Sequence, residues 1–409
     1  MVENLPRLLL VSDTNLNQSG GGINRTLVNL FDSYPPELFL LYTFRETMRV
    51  LPPISQFKNR VVEFPGYYFS AVQNHFGKIL NPIITATNYQ LLSTLPITNQ
   101  ELITKFNPQV IIICPNSLSC MITGHKLVKH FNCPFLVYAM DDWIGFASPR
   151  WFSGNAQQVI AYLLQKSTAW LMISEQLKQA FAKRYKIEPH PTMIVHNPVD
   201  LTDKQVPDFT TTQEGTFKII YAGSIWEMHY DTLAILAQAV YQLRCEGQDI
   251  ELVLHTHDFF WQNHQQQWEN WQVNYGGLIP YDNLNQYLQK GNLLLVVSSF
   301  LPEHKFLTRA SVQTKLTDYM ASGITILACG PGYSACNEFV KKWNCGLVCE
   351  SNQVSVVKDF LLNKIFNHSQ LGEFAHRAFK IVQENFEKQK VSGQLYNFIQ
   401  QVSDCYSLT

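Results

Sequence analysis

The sequence has almost no excess charge of either sign. Among 409 residues, 31 lysines and arginines stand against 32 aspartates and glutamates, a net charge of −1. A chain without surplus cations lacks the electrostatic footprint that neutralises a phosphate backbone, which argues against nucleic acid as a main partner. Long apolar runs are also missing. No stretch of about 18 uninterrupted apolar residues occurs, so nothing reads as a membrane span. The first apolar run, Leu8 to Val11, is too short for a signal-peptide core and reads as a strand. Metal-type cysteine spacing is absent too. Cys114, Cys120, Cys133, Cys245, Cys329, Cys336, Cys345, Cys349 and Cys405 are odd in number, scattered, and mostly set in apolar runs, where a thiol behaves as a small hydrophobe. That usage suits a reducing cytosol, and Cys345 and Cys349 have no second pair or neighbouring histidine to complete a zinc site. There is no internal repeat, and the one biased segment is the glutamine-rich stretch 261–272, which reads as a polar helix or loop.

What the sequence does have is core-forming material, 46% of it hydrophobic, in a chain too long for one core; two domains of about 200 residues are expected. Short apolar runs alternate with amphipathic stretches, the pattern of parallel sheets covered by helices on both faces. The expected strands are Leu8–Val11, Leu38–Tyr42, Val110–Cys114, Phe135–Met140 and Ala169–Ile173. After a break come Phe217–Ala222, Ile250–His255, Leu293–Val297, Thr325–Ala328 and Gly346–Cys349. The polar stretch 197–216, with two prolines and a threonine run, reads as the connection. The sequence therefore divides into residues 1–198, 199–385 and a helical tail, 386–409. Segment 64–95 is rich in aromatic and aliphatic residues. With almost no cation on its polar positions, it fits a helix packed on its own domain better than one lying on a bilayer.

Two doubly wound sheets direct attention to the carboxyl ends of their strands, where such sheets bind ligands. After the first strand, Gly20, Gly21 and Gly22 precede an amphipathic helix, a setting in which backbone can approach an anion closely. The spacing is neither a dinucleotide fingerprint nor a Walker loop, so it names no nucleotide. The strand ending at Met140 leads into Asp141 and Asp142, whose side chains point different ways; Asp141 is the functional candidate, against a capping or solvated role. Gly223 and Ser224 form a turn after the first strand of the second half and place backbone donors there. His255 and His257 could share a metal only if a third ligand existed, and none is evident. Farther on, Arg309, Ser311 and Thr314 lead into a helix whose apolar stripe is Leu316, Tyr319 and Met320 and whose stop is Gly323. Lys315 and Asp318 share another face of it. A guanidinium, an ammonium and hydroxyls at a helix start suit a diphosphate, and a carboxylate one turn in suits sugar hydroxyls. An ordinary surface ion pair would account for Lys315 and Asp318 equally well, though not for the second tight turn, Gly330-Pro331-Gly332, after the next strand.

Together these blocks, SGGGINRTLVNL (19–30), the stretch 173–200, IIYAGSIWEMHYDTL (219–233), 273–288 and TRASVQTKLTDYMASGITILACGPGYSA (308–335), resemble the GT-B fold glycosyltransferases of the retaining, family-4 type. The resemblance implies an α/β fold of two Rossmann-like domains facing across a cleft, with the last helix crossing back to the first domain. It implies a nucleotide-diphosphate sugar as donor, held mainly by the second domain, and a carbohydrate or lipid-linked acceptor. By position Asp318 would bind the ribose; Ser311, Thr314, Lys315 and Arg309 would lie by the diphosphate, with Gly223 and Ser224. Gly277 and Leu278 would lie near the base, and Gly21 and Gly22 near the donor phosphate. Asp141, Lys315 and Asp318 would serve catalysis, with no metal or other cofactor. The implied setting is polysaccharide or glycolipid assembly in the cytoplasm, with the membrane face as a candidate contact. This sequence departs from the pattern at three places: Ala310 stands where a glutamate is common, the turn after Gly223 carries no arginine or lysine and leaves only His229 as a cation, and Met140 replaces a histidine. Two other readings stay open: a silent GT-B protein that binds a sugar nucleotide or a partner, and an epimerase or hydrolase of the same fold.

Overall fold

The computed structural model describes residues 4–17, 21–45, 53–72, 76–142, 153–202, 207, 209, 215–365 and 368–407. The chain separates into two units, one of residues 1–195 with 389–409 and one of residues 196–388. Unit 1 carries β1 (Leu8–Ser12), β2 (Phe39–Phe44), β3 (Val61–Phe64), β4 (Val110–Cys114), β5 (Phe135–Ala139), β6 (Ala169–Met172) and β7 (Thr192–Ile194) in the order β3-β2-β1-β4-β5-β6-β7. Unit 2 carries β8 (Phe217–Ala222), β9 (Ile250–His255), β10 (Asn274–Tyr275), β11 (Leu293–Val297), β12 (Thr325–Cys329) and β13 (Gly346–Cys349) in the order β10-β9-β8-β11-β12-β13. All of these pairings are parallel. Each unit is therefore a Rossmann-like α/β domain, with its strand order reversing direction between β1 and β4 and between β8 and β11. Such reversals are where open parallel sheets accept ligands.

The ten strands legible in the sequence are present, and their residues are almost wholly buried: β1, β4, β11 and β12 contain no exposed position. Burial on both faces is why they read as continuous apolar runs rather than as alternation. The expected start at Leu38 is corrected by one residue, because Pro36–Leu38 forms a single 3-10 turn and β2 begins at Phe39. Strands β3, β7 and β10 were not legible. They lie at sheet edges and are two to four residues long; β7 and β10 are half-buried or exposed, and β3, with Val62 and Phe64 buried and Val61 and Glu63 half-buried, is too short to stand out as an apolar run. The glutamine-rich stretch 261–272 is two short helices, Asp258–Gln262 and Gln265–Asn270, that bury Trp261 and Trp268 in the core of unit 2.

Segment 64–95 carries a helix that packs on the helix Leu118–His130 of the same unit. Its helix, Gly77–Thr94, leaves Ile79 and Ile83 more than half exposed, as are Phe69 and Phe76. Asn81 and Asn88, two turns apart on one face of that helix, hydrogen-bond the backbone of Val72 and of Tyr68 and Phe69, which fastens the aromatic segment alongside. The final helix, Lys388–Ser407, bonds within unit 1: Tyr396 OH donates to Leu30 O at 2.8 Å, and its ring meets Tyr34 edge-on at 5.0 Å. Unit 2 opens and closes side by side, since Val199 N–H donates to Phe386 O at 2.8 Å and Lys388 N–H to Val199 O at 2.9 Å.

Candidate donor site

In unit 2 the reversal between β8 and β11 is held open. β8 pairs with β9 along its whole length, from Phe217 to Ala222, but with β11 only at Ile219 and Ile220. The unpaired end of β8 is satisfied by a side chain instead. Tyr319, in the helix Lys315–Met320, accepts the Ala222 N–H at 2.8 Å and donates to Ala222 O at 3.1 Å. The β8 turn beyond it is pinned from two sides, because Tyr221 OH donates to Ser224 O at 2.6 Å and His229 Nδ1 lies 3.0 Å from the same oxygen. Gly223 has φ of +145°, and its N–H is already committed to His255 O at 2.9 Å. The expectation of a free backbone donor at Gly223 is therefore corrected: the sheet uses it. Burial, helped by the positive charge of Lys315, pushes the His229 imidazole down to about 3, so His229 is neutral and does not replace the missing cation of the turn.

The cation comes from Lys315. Its stem is partly exposed, but its Nζ is buried, lies 3.8 Å from the Tyr221 ring centroid, and has no hydrogen-bond partner among the described residues. A Cβ on Gly223 would stand 2.6 Å from this nitrogen, so glycine lets the ammonium lie where it does. Burial lowers the Lys315 ammonium to about 7, against a small opposing effect of Cys336. Two hydroxyls share its condition: Ser311 Oγ and Thr308 Oγ1 are buried without a partner. The backbone at Ser311 is tied to the helix Ala335–Trp343, since Cys336 Sγ donates to Ser311 O. Buried polar groups are ordinarily satisfied, yet within residues 308–315 the Lys315 ammonium, the two hydroxyls and the side-chain oxygen of Gln313 all lack a partner among the described residues, and the ammonium is the charged donor of the set. The expected contribution of a helix start is weaker than the sequence suggested, because the helix Lys315–Met320 is only six residues long.

Asp318 is 5% exposed, which removes the surface ion pair as an account of this helix. Asn197 Nδ2 lies 3.4 Å from one carboxylate oxygen and Tyr281 OH 3.4 Å from the other. Asn197 also donates to Thr314 O at 3.2 Å, and it is 1% exposed. The first residue of the expected connection is thus part of the site's support. Nothing in the sequence marked Asn197, Tyr221, Tyr281 or Tyr319 as members; a tyrosine in an apolar run reads as core until its hydroxyl finds a partner. Thr314 is half-buried, Arg309 and Ser224 are exposed, and Leu278, at 66% exposure, follows Gly277 with φ of +70°. His255 Nδ1 bonds Gly276 O at 2.9 Å and His257 accepts the Phe259 N–H, so the two histidines hold separate backbone groups. Among the described residues no group of three or more histidine, cysteine, aspartate or glutamate side chains could hold a metal ion. Gly330 packs where a Cβ would lie 2.7 Å from Ser298, which explains its place in the turn by packing at the end of β11.

In unit 1, Gly21 caps the helix Gly22–Phe31 and both glycines are exposed, with nothing within 4 Å of a Cβ on Gly21; Gly20 lies outside the described residues. The two adjacent aspartates part as expected. Asp142 is buried against both terminal nitrogens of Arg184, while Asp141 is half-buried. Asp13, at the end of β1, was not singled out. It accepts from Ser117 Oγ at 2.5 Å and Asn116 N–H at 2.6 Å, yet burial raises it to about 6. Burial pushes up the thiol of Cys114, and Asp13 and Asp141 both add to it, so the ends of β1, β4 and β5 bring two carboxylates to act on one buried sulfur.

No family model matches the sequence, and comparison with curated proteins gives no match. Solved structures do resemble the fold. Sucrose-phosphate synthase from Thermosynechococcus elongatus superposes with a TM-score of 0.71 at 13% identity, over 98% of this chain and 100% of that one. Anabaena HepE, in complex with UDP and glucose, gives 0.67 at 14% identity over 97% and 100%. A glycosyltransferase from Rickettsia africae gives 0.66 at 14% identity over 98% and 99%. At such identities the likeness establishes the fold: two Rossmann-like α/β domains with parallel sheets, as in GT-B proteins.

Proposed function

We propose that the protein is a glycosyltransferase that takes a sugar from a nucleotide-diphosphate sugar and transfers it to a carbohydrate or lipid-linked hydroxyl. The observation that carries this reading is the buried Lys315 ammonium beside Gly223 and Tyr221 at the end of β8, without a partner among the described residues, at the strand reversal of unit 2. A diphosphate supplies the acceptor oxygens that these donors lack. As the bond from sugar to phosphate breaks, negative charge grows on the leaving oxygen, and a fixed ammonium in a dry site stabilises it without reorganisation. In this scheme Asp318, held by Asn197 and Tyr281, receives the ribose hydroxyls, Gly277 and Leu278 flank the base, and Gly21 and Gly22 are the glycines assigned to the donor phosphate. Arg309, Thr314 and Ser224 line the donor, and Asp141 serves the acceptor. The reaction proceeds with retention, the departing phosphate oxygen taking the acceptor proton, and requires no metal. The fold shared with HepE, solved with UDP and glucose, supports the choice of ligand class.

The neutrality of His229 favours a second reading, a protein that binds a sugar nucleotide without turning it over, because the turn after Gly223 offers no charge to a developing oxyanion. Thermal denaturation with UDP-, GDP-, ADP- and dTDP-sugars tests the first step. A ligand present at about 100 times its dissociation constant should stabilise by about 2.7 kcal/mol. Slow hydrolysis of the bound sugar then separates enzyme from silent binder. If none of these ligands shifts the melting temperature, the reading is lost.

A further inference from the structure

Lys315 holds a charge site that the described residues do not complete. Tyr221 on β8 lies under its Nζ and Gly223 beside it; His229, on the helix Glu227–Cys245, and Cys336, on the helix Ala335–Trp343, act on it electrostatically. His304, just before the helix Lys305–Ala310, acts on His229 rather than on Lys315. On its own helix are Asp318, engaged by Asn197 and Tyr281, and Tyr319, engaged by Ala222. Burial pushes the hydroxyls of Tyr221 and Tyr319 up, so neither is an anion near neutrality, and His229 is neutral. Among the described residues, no group facing Lys315 therefore pairs with its charge.

We propose that the diphosphate of the donor enters unit 2 together with one proton, which is taken up by Lys315, so that occupancy of the site depends on pH as well as on ligand concentration. This rests on the reading of the site as a nucleotide-sugar site. The buried amine without an acceptor loses its proton at about 7. A diphosphate against Nζ restores the opposite charge that burial removed and returns the amine toward its ordinary range. The sign follows: below about pH 7 the free lysine is already protonated and binding takes up nothing, whereas above it the complex holds more protons than the free protein, and affinity falls by up to tenfold per pH unit. The diphosphate diester of a nucleotide sugar has no group that titrates in this range, so any uptake belongs to the protein. Arginine would stay charged throughout; lysine makes the site responsive.

The test is calorimetry on the full chain with UDP-, GDP-, ADP- and dTDP-glucose, in three buffers of different ionisation heat, at about pH 6 and about pH 8.5. The expected result is uptake of about one proton at the higher pH, almost none at the lower, and at least tenfold weaker binding at the higher. Binding at both values without proton uptake overturns the inference and leaves the glycosyltransferase reading intact. Absence of binding by all four overturns both. Lys315→Arg, with its fixed charge, should bind with uptake lost and pH dependence flattened; Lys315→Met should bind weakly at both values. Uptake undiminished in either variant places the proton elsewhere and also overturns the inference. Should neither variant fold, the wild-type buffer series decides alone.

Discussion

A buried ammonium without an acceptor destabilises the chain that holds it, and Lys315 is placed in that way. Its removal should therefore stabilise the ligand-free protein, with a dependence on pH whose sign is fixed. The folded amine loses its proton at about 7 and the unfolded one near 10.5, so the unfolded chain binds the extra proton between these values. The penalty is full below about pH 7 and fades as pH rises toward the unfolded value. Lys315→Met should raise the melting temperature by about 3 °C or more near pH 6.5 and by less near pH 9. A scan at the two pH values checks this, and a larger gain at the alkaline end would contradict the burial of Nζ. Gly223 is the matching residue. Gly223→Ala introduces a Cβ 2.6 Å from Lys315 Nζ at a backbone angle that alanine resists. A stability loss of about 1–3 kcal/mol in denaturant, with weakened sugar-nucleotide binding, is the expected outcome. Asp318 carries a different lesson. In the sequence a surface pair accounted for it as well as a sugar-binding role did, but the amide of Asn197 and the hydroxyl of Tyr281 hold it inside the unit.

At the scale of elements, the end of β8 shows how a parallel sheet keeps a gap open. Neighbouring strands that diverge leave backbone groups without partners, and an unpaired buried group costs free energy comparable to a lost hydrogen bond. Tyr319 meets both needs of Ala222 with one hydroxyl. Tyr319→Phe keeps the ring, which is fully buried, and removes only this bridge. The expected cost is about 1–3 kcal/mol, with faster amide exchange at Ala222 while the rest of β8 stays protected. Unchanged exchange there would mean that the strand end is satisfied in another way. The helix Lys315–Met320 is buried from Leu316 to Met320, so its apolar stripe alone could not announce what its polar side does. A similar limit applies to β3, β7 and β10, which are two to four residues long and gave no run to read.

At the scale of the whole molecule, unit 2 is one continuous stretch whose two ends meet at Val199 and Glu387, whereas unit 1 gathers residues from both ends of the chain. A fragment of residues 196–388 should fold cooperatively by itself, as followed by circular dichroism in denaturant. Residues 1–195 alone should be markedly less stable than the full chain, because they lack the Tyr396 hydrogen bond to Leu30 and its contact with Tyr34. Equal stability of unit 1 with and without the last helix would contradict that role. The sequence by itself determined the class of fold and the positions of ten strands, because two-sided burial writes an apolar run into each. It also marked the stretch from Arg309 to Asp318, since charged and hydroxyl residues are conspicuous before a core helix. Only the tertiary structure decided that His229 is neutral, that Asp318 is buried, and that Lys315 Nζ lies under Gly223 with no acceptor. The reason is physical: charge state and hydrogen bonding depend on what surrounds an atom, and those surroundings come from Tyr221, Asn197 and Tyr281, far away along the chain.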